Sequence, residues 1–135
     1  MNGRKHRSMI NAQELCFIKN AVDCRTYEFT PYSMERAITR GVTTHEVMKT
    51  IIEGEIMEVH FKDESVRVLI RGCANKRNMD TCVVVDLCEC SIVTVYQNDS
   101  TDRHYSLNTS LYDESLDIFT LMRGYLDRDK KESHT

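Results

Sequence analysis

Arg36 and Arg40 stand four residues apart, a spacing that puts two guanidinium groups on one face of a helix. Like charges placed so repel unless an acidic group or an anionic ligand lies between them. Further along, Val66, Val68 and Ile70 alternate with Arg67, Leu69 and Arg71, so a strand there shows both arginines on one side. Gathered with Tyr96, the four arginines would surround an anion, each fork holding phosphate oxygens. The plainer reading has Glu35, Glu53 or Glu55 neutralising the helix pair.

Glu58 and His60 also alternate, and as neighbours on a strand face they form a candidate acid–base pair. The competing reading is the solvent side of an edge strand. His6, His45, His104 and His134 read as surface residues. Cys82, Cys88 and Cys90, with Cys73 upstream, raise a zinc site, because thiolates close to a turn can share a tetrahedral ion. A single residue between Cys88 and Cys90 is not a zinc-knuckle spacing, so small thiols filling space is the alternative and no cofactor is expected.

These side chains need elements to position them. Residues 11–24 carry Leu15, Ile18, Ala21 and Val22 at helical spacing, with Phe17 nearby. Pro31 blocks continuation, and residues 32–40 predict a second helix with Met34, Ala37 and Ile38 on one face, stopped by Gly41. Thr43 followed by Glu46 is a capping box for a third helix, with Val47, Met48, Ile51 and Ile52 as its stripe and Gly54 as its end. Residues 56–61, 66–71, 81–86 and 91–96 then change to period two, predicting a four-stranded antiparallel meander. Residues 97–108 read as a polar loop. Residues 111–122 read as a closing helix with Asp113, Glu114 and Asp117 in its first turns, where acidic charge suits the helix dipole.

The expected class is therefore α+β: helices, a four-stranded antiparallel sheet, then a C-terminal helix. Residues 1–10 read as a flexible N-terminus, 11–124 as a single domain and 125–135 as a flexible charged tail. A chain of 135 residues with 41% hydrophobic and 29% charged residues buries a core without disulfides or metal. A net charge of -3 argues against a broad basic surface for nucleic acid, though a local basic pocket stays compatible with it. Neither a signal-peptide core nor a membrane-length apolar run is present, so the expectation is a soluble, cytoplasmic protein whose six cysteines are thiols.

The run from Phe29 through Pro31, Arg36, Arg40 and Gly41 to Val47, then Gly54-Glu-Ile, Cys82-Val-Val-Val and Ile92-Val-Thr-Val-Tyr96, resembles domain of unknown function family 4258 over residues 29–96. Arg36, Arg40, Gly41, Gly54, Thr94 and Tyr96 match that family's pattern. The resemblance implies kinship with RelE-like ribonuclease toxins and adds Thr94 to the ligand-binding candidates. Where the family opens its helix with histidine this chain has Tyr32, and where its third strand commonly begins with histidine it has Cys82. Tyrosine at pKa ~10 and cysteine at ~8.5 are poor proton carriers near neutrality.

The reading that follows is a catalytically degenerate binding or regulatory protein on a RelE-like scaffold. It would hold a protein partner or small anionic ligand in a phage or mobile-element conflict, with a homodimer left open. The alternative is a metal-independent endoribonuclease in which Arg36, Arg40 and Arg71 carry the transition-state charge and Tyr32, His60 or Tyr96 moves protons.

Overall fold

Three helix starts are set by reciprocal caps in which a side chain and the backbone two or three residues on satisfy each other. Asn11 and Glu14 open α1 (Ala12–Asp23), Thr30 and Ser33 open α2 (Pro31–Thr39), and Thr43 and Glu46 open α3 (Thr44–Glu53). Pro31 sits at the first position of α2, where its missing N–H costs nothing. The computed structural model of the protein describes residues 3–74, 78–99 and 112–133, without the side chains of residues 73, 74 and 128–133.

The helices lead into a six-stranded sheet of order β1-β3-β4-β5-β6-β2. Its centre is the expected meander, β3 (Glu55–Lys62), β4 (Ser65–Ala74), β5 (Met79–Asp86) and β6 (Ser91–Asp99), all antiparallel. The expectation of four antiparallel strands is corrected at both edges. β1 (Gly3–His6) lies antiparallel to β3, and the two-residue β2 (Glu28–Phe29) lies parallel to β6, making the sheet mixed. Neither edge strand has a period-two apolar pattern to announce it. The segment read as a flexible N-terminus therefore includes a strand, fastened by Lys5, whose buried Nζ donates to Glu14 Oε2 and to the Leu116 carbonyl, both at 3.1 Å.

One sheet face is the core. Val59, Phe61, Val66, Val68, Ile70, Val83, Val85, Ile92 and Val95 are buried there under α3 and α4, with α1 against α4. Two expected core residues point outward instead: Ile38 on α2 is 71% exposed and Ile52 on α3 is 66% exposed. Ser33 and Ala37 turn inward on α2, and on α3 the buried Thr50 donates its hydroxyl to the Glu46 carbonyl at 2.8 Å. Gly54 is required for close approach, since a Cβ there would meet the Arg71 carbonyl at 2.9 Å.

The closing helix is also displaced from its expected place. Residues 112–117 form a strap, with Tyr112 bridged to Arg4, and α4 (Ile118–Ser133) begins only after Asp117 accepts from Thr120 N at 3.2 Å and Thr120 Oγ1 at 2.8 Å. α4 then continues through most of the segment read as a charged tail. Asp113 and Glu114 consequently lie outside it, and Leu111 and the expected loop beyond Asp99 lie outside the described residues. Among the described residues no helix is long and apolar enough to cross a membrane.

Candidate functional site

Strand alternation aims a second set of side chains at the face opposite the core. Across it, Arg4 of β1 pairs in register with His60 of β3, and His60 with Arg67 of β4. Arg67 pairs with Asp86 of β5, and Leu69 with Val84, whose partner on β6 is Thr94. A register shift between Val84 and Val85 leaves Val93 as an extra residue on β6, so Val93 and Thr94 both reach the same groove. The groove holds about 390 Å³ and is lined by Arg4, Glu58, His60, Arg67, Leu69, Val84, Val93, Thr94, Tyr96 and Tyr112.

Electrostatics inside the groove set its carboxylate and its imidazole apart. Burial, with the cations Arg4, Lys62 and Arg67 nearby, pushes the His60 imidazole down to about 4, so the ring is neutral at pH 7 with a lone pair available. Burial raises Glu58 above the usual carboxylate range, against the pull of Arg4 and Tyr112. Arg4 Nη1 donates to Glu58 Oε1 at 3.3 Å and Tyr112 Oη to Oε2 at 3.5 Å. Arg67 Nε faces Asp86 Oδ2 at 3.6 Å, too long for a hydrogen bond, while Asp86 Oδ1 accepts from Cys88 N at 2.9 Å and Glu89 N at 3.0 Å. His60 makes no side-chain hydrogen bond among the described residues.

His60 gives a direct check on this geometry. Its folded value lies below the ~6.5 of an unfolded histidine. The unfolded chain therefore takes up the proton first, and this contribution to stability, complete above pH 6.5, is lost as pH falls from 6.5 to about 4. An NMR titration of the His60 ring is expected to show a midpoint near 4, moving upward when inorganic phosphate is added, because an anion favours the imidazolium. A midpoint at or above 6.5 in the free protein would contradict a half-buried, cation-flanked ring.

The four arginines do not converge. Arg67 alone lines the groove. Arg71, 8% exposed, is committed to structure: Nε donates to Asp80 Oδ2 at 2.6 Å and Nη2 to the Asp99 carbonyl at 2.8 Å. Arg36 lies over the exposed Tyr32 ring, 4.9 Å from its centroid, on the outside of α2. Arg40 follows α2 and donates Nη1 to the Val95 carbonyl at 2.7 Å. Among the described residues no ion pair joins Arg36 or Arg40 to Glu35, Glu53 or Glu55, and Glu55 is against Arg7.

The remaining candidates separate similarly. Cys82 is buried on β5, whereas Cys88 and Cys90 sit in the turn before β6, their thiols donating to the carbonyls of Glu64 and Leu87. Among the described residues no group of three or more His, Cys, Asp and Glu is arranged to hold a metal; the Cys73 side chain lies outside them. His45 is exposed, and His104 and His134 lie outside the described residues. His6 is corrected from a surface residue to a buried one, edge-on to Tyr112 at 5.5 Å. Arg4 and Tyr112 were missed because only the long-range pairing of β1 brings them here.

Residues 29–97, just over half of the chain, match the family described as Domain of unknown function (DUF4258). The chain belongs to that family. No curated protein and no solved structure matches it. Within the DUF4258 region lie α2, α3, β3 to β5 and most of β6, and with them Glu58, His60, Arg67, Thr94 and Tyr96; Arg4 and Tyr112 come from flanking segments.

Proposed function

We propose that this DUF4258 protein is a metal-independent endoribonuclease of the RelE-like type that cuts single-stranded RNA in the open-face groove. The observation that supports this most is the meeting of Glu58, His60 and Arg67 in one concavity. Cleavage by the 2′-hydroxyl needs a base, an acid and a cation for the charge that builds on the phosphate.

Neutral His60 takes the 2′-hydroxyl proton as that oxygen attacks phosphorus, and its basicity rises once a phosphate is bound beside it. The bond from phosphorus to the 5′-oxygen breaks, and the leaving oxygen receives a proton from Glu58, whose raised value lets the carboxyl carry one closer to neutrality. Arg67 holds the non-bridging oxygens with its fork. The products are a 2′,3′-cyclic phosphate and a 5′-hydroxyl, and the proton on His60 returns to Glu58 through solvent.

A second reading is favoured by the contacts of Arg4 and Tyr112 with the Glu58 carboxylate, which leave the acid engaged. It keeps the groove as a binding site for a small anionic ligand in a regulatory protein without turnover. Incubating the protein with an RNA oligonucleotide in EDTA decides between them. Under the first reading cut strands end in cyclic phosphate, and replacing the nucleotide 5′ of the cut by its 2′-deoxy form stops cleavage there. Intact RNA together with phosphate-dependent movement of the His60 resonance establishes the second.

A further inference from the structure

Tyr96 is shared between two concavities. One is the groove of Arg67; the other, about 620 Å³ and more open, is lined by Arg40, Met79, Tyr96 and Gln97. We propose that this second concavity is a subsite for a nucleotide flanking the one at Arg67, so that the protein reads an RNA strand rather than an isolated phosphate. The inference rests on the reading that the groove takes RNA.

The lining has the chemistry for one nucleotide. Tyr96 offers an aromatic face for a base, Met79 a polarisable apolar side, and Gln97 an amide able to donate to and accept from a base edge. Arg40 supplies the phosphate contact. Its Nη1 is anchored on the Val95 carbonyl at 2.7 Å, which fixes the guanidinium against β6, and its other nitrogens have no partner among the described residues. A guanidinium held at one corner loses less freedom on gripping an anion.

Register shows that the two sites need more than one phosphate between them. Tyr96 pairs with Cys82, and Cys82 with Arg71, four residues from Arg67 along β4. With β5 lying between β4 and β6, the backbones at Arg67 and Tyr96 are on the order of 16 Å apart, from the strand rise and spacing. One phosphate cannot touch both ends of such a path. A strand of several nucleotides laid diagonally from β3 to β6 can.

The test uses uncleavable 2′-deoxy oligonucleotides, a dinucleotide and a hexanucleotide, with affinity read by fluorescence anisotropy on the full chain. The hexanucleotide is expected to bind tighter by on the order of tenfold or more, the scale of one stacked base. Arg40→Gln is expected to collapse the ratio of the two affinities and to lower the salt dependence of hexanucleotide binding by about one unit of slope. Arg40→Lys, which keeps the charge, is expected to restore part of both. An unchanged ratio in a folded Arg40→Gln protein, checked by thermal melting, overturns the subsite, as does equal binding of the two lengths by the wild type. A length gain that Arg40→Gln removes, in a protein that leaves the ribo-hexanucleotide uncut, sinks the ribonuclease reading and leaves the subsite standing.

Discussion

Arg67→Gln is expected to slow RNA cleavage by about 10²- to 10³-fold while the protein stays folded, the usual loss when a preorganised donor to a developing oxyanion is removed. Of the four arginines singled out in the sequence, Arg67 is the one that strand alternation aims into the groove beside His60, and among the described residues it is held by a 3.6 Å approach to Asp86. Folding should tolerate the change. Asp86 keeps two backbone donors in the turn, Cys88 N and Glu89 N, and an ion pair whose arginine side chain is 40% exposed contributes about 1 kcal/mol or less. Arg67→Lys separates charge from geometry, because an ammonium keeps the cation but cannot hold two phosphate oxygens in one plane. If catalysis depends on the fork, Lys falls with Gln in kcat; if charge alone matters, Lys recovers most of the rate. Equal kcat/KM for folded Arg67→Gln and the wild type would remove Arg67 from the mechanism.

What was legible in the sequence and what was not divide along one line, local against long-range. The capping box at Thr43 works within four residues, and so do the alternations that define β3 to β6; both can be read without knowing the fold. The alternation that puts Glu58 and His60 on one face of β3 is of this kind, and the structure places both in the groove. β1 is different. Its four residues, Gly3–His6, carry two basic side chains and a histidine, and it is a strand because its backbone pairs with the distant β3, with Lys5 fastened to Glu14 and to the Leu116 carbonyl. Arg4 and Tyr112 could not be assigned to the groove without that pairing.

The helices show the same limit from the other side. Ile38 and Ile52 fit an apolar stripe by spacing, yet both face outward, because a small contact surface, Ser33 and Ala37 on α2 and Thr50 with Val47 and Ile51 on α3, is what packs inward. Gly72 makes room for Thr50, since a Cβ there would lie 2.7 Å from Thr50 Oγ1. Spacing reports which residues share a face; it does not report how close the neighbouring backbone comes.

Arg71 is where this matters most for function, and its replacement by methionine is expected to cost about 3–5 kcal/mol, the scale for removing one partner of a buried ion pair. By alternation Arg71 belongs with Arg67, and the sequence grouped them around one anion. The fold instead gives Arg71 acceptors within the protein, among them Asp80 Oδ2 at 2.6 Å and the Asp99 carbonyl at 2.8 Å, with both charged side chains close to fully buried. Those bonds tie the end of β4 to β5 and to the last residue of β6, next to the register shift between Arg71 and Ala74. Arg71→Met leaves the Asp80 carboxylate buried without its cation, and a loss of this size is a large share of the ~5–15 kcal/mol that holds a domain together. The double variant Arg71→Met/Asp80→Leu removes the stranded charge and is expected to recover most of the loss. Urea melts of the wild type, the single and the double variants measure it. A single variant as stable as the wild type would mean that the pair contributes nothing to the fold, and would return Arg71 to the residues available for an anion.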